Sequence, residues 1–206
     1  MTKIVVGISG TTGVIYGVRI LKALGKVGVE THLVLTQAAG QNLTIETKYT
    51  AADVESIASF SYSPEDIGAA LASGSFKTEG MVVIPASMKT VAGIAHGYAD
   101  NLLLRAAEVT LKERRPLIVV PRETPLSVID IENLLTLAKA GAIVVPAMPA
   151  FYDRPKTLDD IIDHLVGKVL DLLGVEHHLY ERWEGPRRRS SADGRASTGA
   201  GRRSRR

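Results

Sequence analysis

Five short stretches of the chain are built mainly of apolar residues: "KIVVGI" (3–8), "THLVLT" (31–36), "MVVIPA" (81–86), "PLIVVP" (116–121) and "AIVVPA" (142–147). β-Branched runs without polar alternation suit strands covered on both faces, as in a parallel sheet. Between them, "VIYGVRILKALGKVG" (14–28), "ADNLLLRAAEVTLKER" (99–114) and "IDIENLLTLAKAG" (129–141) place apolar residues at helical spacing. A further amphipathic helix is predicted over 157–173, with Thr157 as N-cap and acids in its first turn. This alternation predicts an α/β fold, a doubly wound parallel sheet with helices on both faces and right-handed crossovers. Ligands of such sheets sit beyond the carboxyl ends of the strands, so function is sought in the loops that follow them.

Read together, those loops are polar and convergent. Gly10, Thr11, Thr12 and Gly13 follow the first run, and Thr36 and Gln37 the second. "ASMKT" (86–90), "RETP" (122–125) and "MPAFYDRP" (148–155) follow the others. A binding edge explains this set of hydroxyls and charges better than turn chemistry does. The first turn is not a dinucleotide fingerprint. Counted back from Gly13, the position of the first glycine of that pattern holds Ile8, and Thr36 and Gln37 stand where a ribose-binding acid is needed. A helix N-terminus with two threonine hydroxyls suits one phosphate monoester instead.

Composition narrows the classes. The 206 residues suffice for one domain with a real core, and zero cysteines exclude disulfides, thiolate metal sites and a cysteine nucleophile. No apolar run approaches the ~20 residues of a membrane span. "MTKIVVG" passes straight into a strand without signal-peptide architecture, so a cytoplasmic protein is expected. The net charge of +3 is unevenly placed. Residues 186–206 hold eight arginines and one acid, a net +7, which leaves 3 − 7 = −4 for residues 1–185. Arg, Ser, Gly and Ala without large apolar residues predict a disordered basic tail over 186–206, outside a folded domain over 1–185. Contact with nucleic acid is expected only weakly, through that tail.

Three stretches carry a family resemblance: "GISGTTGVIYG", "PASMKTVAGIAHGYADNLLLRAAEVTLKERRPLIVVPRETPL" and "PAMPAFYDRP". Together they resemble the flavin prenyltransferases of the UbiX type, over about residues 3–185. The resemblance implies a Rossmann- or flavodoxin-like sheet and a homododecamer with sites near its interfaces. It implies transfer, without a metal, of a dimethylallyl group from dimethylallyl phosphate to N5 and C6 of reduced FMN. The product, prenylated FMN, would serve a UbiD-type decarboxylase.

The same resemblance assigns residues. Gly10, Thr11 and Thr12 match its phosphate turn; Thr36, the loop of Ser87, Met88, Lys89 and Thr90, and Arg122 match its flavin-binding positions. Tyr152 and Lys168 match positions that hold the prenyl phosphate. Glu46, Lys112 and Glu123 match its functional acid and base residues, and Arg105 and Trp183 match other positions of the active site.

Chemistry adds to some of these and not to others. Arg105 and Lys112, seven residues apart on one helix, share a face and could clamp a phosphate; an ordinary solvated face is the alternative. Glu123 directly follows a strand, where a carboxyl group can move protons, or pair with Arg122. Trp183, the sole tryptophan, offers an aromatic face to an allylic cation, or simply anchors the C-terminus. Glu46 is selected by the resemblance alone. The chain departs from the family pattern at Thr12 (usually serine), Ala86 (often cysteine) and Lys168 (usually arginine); lysine keeps the charge and loses the forked geometry. None of the five histidines shows metal-ligand spacing. A flavin-dependent decarboxylase of the cysteine-decarboxylase type, or a non-catalytic flavin carrier, would share the flavin loops.

Overall fold

A computed structural model describes residues 2–183 and Gly185; the tail over 186–206 lies outside the described residues. Six strands, β1 (Lys3–Ile8), β2 (Glu30–Leu35), β3 (Phe60–Tyr62), β4 (Gly80–Ala86), β5 (Leu117–Pro121) and β6 (Ile143–Val144), form one sheet in the order β3-β2-β1-β4-β5-β6. Every pairing is parallel. The chain winds outward from β1 in one direction and from β4 in the other, so the order reverses between these two neighbours. That reversal opens a crevice at their carboxyl ends.

Strand alternation divides the core. Ile4, Val6 and Ile8 of β1 join Val82 and Ile84 of β4 under helices α1 (Val14–Lys26) and α7 (Leu158–Leu172). Helices α2 (Gln37–Glu46) and α3 (Ala51–Ile57) cover the same face. Val5, Met81 and Val83 face the other way, against α4 (Met88–Ala95), α5 (Leu102–Lys112) and α6 (Val128–Lys139). The side chains of Thr50, Ser127 and Thr157 each open a helix with a capping box. No described helix is long and apolar enough to cross a membrane.

The doubly wound α/β architecture is the expected one, with differences of detail. "AIVVPA" yields only two strand residues, because Pro146 has no amide to donate; Val145 and Ala147 still bond Val119 and Pro121. Residues 37–46, 51–57 and 88–95 form helices that the apolar spacing does not predict. The segment 60–76 supplies edge strand β3 and buries Leu71 in the chain's own core, with Phe76 partly buried beside it. Large exposed apolar side chains gather elsewhere, on α6 and at Met148 and Phe151.

Candidate flavin and prenyl-donor site

The β1–α1 and β4–α4 turns meet at the crevice. Ser9, buried at the end of β1, donates its hydroxyl to the Pro85 carbonyl (3.1 Å) and accepts the Ser87 amide (2.7 Å). One hydroxyl thereby sets the spacing of the two turns. Gly10 is required by a close approach, since a Cβ there would stand 2.3 Å from the Cβ of Ala38 on α2. Thr11 donates its hydroxyl to the Arg122 carbonyl (3.0 Å), and the Arg122 amide donates to Ala86 (3.2 Å). The loop after β5 is so tied to the first turn. Burial raises the Tyr16 phenol above its ordinary pKa, and the nearby positive charge of Arg122 opposes that shift.

Helix N-termini point into this crevice. Thr36 caps α2 by accepting the Ala39 amide (3.2 Å), and Ser87 caps α4 by accepting the Thr90 amide (3.3 Å) while bonding the Thr90 hydroxyl (3.0 Å). Met88, Lys89 and Thr90 form the first turn of α4. Helix α1 has no capping side chain of its own; Gly13 leads into it at φ 93°. The carboxylate of Glu46, at the end of α2, accepts the Gly13 amide at 2.7 Å. An anion therefore already engages this helix N-terminus, as its dipole favours. Thr12 lies exposed in the same turn. Gly10, Thr11, Thr12, Thr36, Ser87 to Thr90, Arg122 and Glu46 all come together at the carboxyl edge of β1, β2, β4 and β5.

Glu123 is exposed beside them and accepts the Thr124 amide (3.1 Å), with no ion pair to Arg122 among the described residues. Arg122 and Glu123 line a cleft of about 320 Å³ together with Pro121, Leu134, Pro146 and Met148. A cavity of about 780 Å³ lies by Thr2, Glu79 and Leu173 at the opposite edge of the sheet, away from these groups.

Tyr152 stands four residues beyond Met148, and its hydroxyl bonds Nε2 of His164 on α7 (2.6 Å). Trp183 meets the Tyr152 ring edge-on, with centroids 5.8 Å apart. Lys168 lies exposed one turn beyond His164. Tyr152 and Trp183 thus meet beside α7, and Lys168 stands on that helix one turn beyond His164.

Within one chain, two expected residues are not brought to either group. Arg105 donates to the Ala72 carbonyl (3.3 Å) and pairs with Glu108 (2.9 Å). Lys112 pairs with Glu113 (2.5 Å) in the last turn of α5. Helix α5 runs back across the sheet, so Lys112 ends near the start of β5, at the edge opposite the crevice. The shared helix face is real, and within this chain each cation on it is paired with its own acid.

Sequence reasoning missed Ser9 and His164. Ser9 stands inside the stretch "GISGTTGVIYG" but has no separate chemical signal there. His164 sits at i − 4 from Lys168, a spacing that could have placed it beside the prenyl-phosphate positions. His32 is a buried strand histidine, held between the Tyr62 hydroxyl and Glu30 (2.9 Å each).

The comparisons with known proteins agree with this geometry. The flavoprotein family model matches residues 1–170. Flavin prenyltransferase LpdB of Lactiplantibacillus plantarum is 52% identical over 186 residues, 90% of this chain and 100% of the relative. Among solved structures, AnUbiX (PadA1) in complex with FMN and dimethylallyl pyrophosphate is 43% identical, with a TM-score of 0.88 over 89% of this chain and 98% of that one. A dodecameric FMN-dependent UbiX-like decarboxylase from Escherichia coli O157:H7 is 52% identical, with a TM-score of 0.88 over 89% and 100% of the two chains. Its sheet, its crevice and its relatives thus place the chain in the UbiX-type flavin prenyltransferase family.

Proposed function

We propose that this chain joins the dimethylallyl group of dimethylallyl phosphate to N5 and C6 of reduced FMN, giving prenylated FMN for a UbiD-type decarboxylase. The observation that supports it most is the junction of the β1–α1 and β4–α4 turns through Ser9, with Arg122 tied in by Thr11. Helix N-termini, two threonines and a guanidinium at one crevice fit the phosphate of FMN, and Gly10 keeps the turn open beside Ala38. NAD fits poorly, since the turn after β2 offers Thr36 and no acid.

Reduced FMN supplies the nucleophilic N5 and C6. Tyr152 and Lys168 bind the prenyl phosphate, and the face of Trp183 stabilises positive charge on the allyl group as phosphate departs. Glu123 holds a proton for the leaving phosphate oxygen. Arg105 and Lys112 reach such a site from a neighbouring copy in a dodecamer, since their own chain directs them elsewhere. Glu46 keeps the first turn in place through Gly13. We assign the chemistry to residues 1–185, in the cytoplasm, and treat the tail as dispensable for it.

The test is anaerobic incubation with reduced FMN and dimethylallyl phosphate, or the pyrophosphate, followed by the flavin mass. A flavin heavier by one dimethylallyl unit is expected. Loss of carbon dioxide from a carboxylate substrate with unmodified flavin would favour the decarboxylase reading, and bound, unmodified flavin alone the carrier reading.

A further inference from the structure

The segment after α7 folds back on that helix, and one carboxylate holds it there. Oδ1 of Asp171 accepts Nη2 of Arg182 (2.7 Å) and Nε2 of His177 (3.1 Å). Its Oδ2 accepts the Tyr180 hydroxyl (2.6 Å) and Nη1 of Arg182 (3.2 Å). The Leu179 amide donates to Nδ1 of His177 (3.2 Å), so the neutral ring carries its proton on Nε2 and donates to Asp171. The Arg182 fork, followed by the Tyr180 hydroxyl and the charge partners, holds the Asp171 carboxyl well below the usual carboxylate range. Burial, then the same carboxylate, pushes the Tyr180 phenol up to about 12.

The surface of α7 is shaped to receive the segment. A Cβ on Gly167 would stand 2.5 Å from the Tyr180 ring and 2.7 Å from that of His177, so the segment lies against bare helix backbone. Two routes lead from this clasp to the proposed prenyl-donor residues. Trp183 directly follows Arg182. The Tyr180 ring packs on that of His164 (4.7 Å), whose Nε2 bonds the Tyr152 hydroxyl.

We propose that Asp171 is a positioning residue for the prenyl-donor end of the site: by clasping residues 177–182 to α7 it sets Trp183 against Tyr152. The proposal rests on the roles given above to Tyr152 and Trp183; Asp171 itself touches neither substrate nor flavin. Trp183 is 61% exposed, too open to be fixed by its own burial. A side chain so placed, next to a short connecting backbone, depends on what anchors its neighbours.

The test uses full-length Asp171→Ala and Asp171→Asn, the second keeping volume and one acceptor should the first not fold. Trp183 is the only tryptophan, so its emission reports its surroundings without any substrate. Acrylamide quenching of that emission is expected to rise in both variants and to return toward the original value in Asp171→Glu. In turnover, KM for dimethylallyl phosphate is expected to rise roughly 5- to 30-fold, the scale of one lost positioning contact, with kcat and FMN affinity little changed. In a Trp183→Ala background, Asp171→Ala should add nothing further to KM. Unchanged quenching would overturn the proposal, as would a full, independent KM effect in the Trp183→Ala background or an equal loss of FMN affinity. If the unmodified chain forms no prenylated flavin, the functional reading fails, while the quenching measurement still decides the clasp.

Discussion

The buried hydroxyl of Ser9 accepts the backbone amide of Ser87 at 2.7 Å while donating to the carbonyl of Pro85, so one side chain couples the two turns that border the crevice. Ser9→Ala leaves the Ser87 amide without that partner, which costs about 1–3 kcal/mol. Equilibrium urea unfolding should show that loss as a lower midpoint at unchanged slope. A parallel FMN titration should show weaker binding.

Gly10 makes a second, steric prediction about the same turn. Its missing Cβ leaves room for Ala38, and overpacking at such a contact costs about 1–3 kcal/mol. Gly10→Ala is expected to move the β1–α1 turn off α2 and to weaken FMN binding in a fluorescence titration. A variant that binds FMN with full affinity would remove this turn from the flavin site.

Helix α6 carries the prediction about assembly. Val128 (71% exposed), Ile131 (54%) and Leu135 (51%) recur at i, i+3 and i+7, with Ile129 beside them. A solvent-facing apolar stripe on an amphipathic helix marks an interface. Ile131→Glu should shift light scattering toward smaller species. Prenyl transfer should fall with it, because Arg105 and Lys112 then have no neighbouring site to serve.

His32 sets a dependence of stability on pH. Burial lowers its pKa below 6.5 against the opposing pull of Glu30, with Lys3 adding to the decrease and Tyr62, Phe60 and Phe76 packed around the ring. A depressed folded value means that the unfolded chain binds the proton first. The stability tied to neutral His32 is therefore complete above about pH 6.5 and is lost as pH falls toward the folded pKa. Thermal midpoints between pH 7 and pH 5 should fall more for the unmodified chain than for His32→Asn.

Legibility in the sequence followed from how local each signal is. The apolar runs at 3–8, 31–36, 81–86 and 116–121 became strands, because an unbroken β-branched run has few other uses. Gly10, Thr11 and Thr12 were readable as the turn between a strand and a helix, because glycine and hydroxyls at a strand end have a direct chemical meaning. Helix α4 was hidden, since Ser87 to Thr90 read as a loop and proved to be a cap and a first turn. Glu46 had no local chemistry until the fold brought it 33 positions back to Gly13. Lys112 shows the limit most clearly. Seven-residue spacing fixes a helix face, but not which sheet edge the end of the helix reaches; eleven residues at ~1.5 Å each carry α5 across the sheet.

The most direct test of the account is single-turnover flavin mass in the unmodified chain and in Glu123→Gln, each loaded anaerobically with reduced FMN and mixed with dimethylallyl phosphate. The account predicts prenylated flavin from the first. From the second it predicts full FMN loading with formation slowed ~10²–10⁴-fold, the usual loss on removing a positioned acid or base. Prenylated flavin formed at the same rate by Glu123→Gln, or by neither protein in the case of the unmodified chain failing to react, would contradict it.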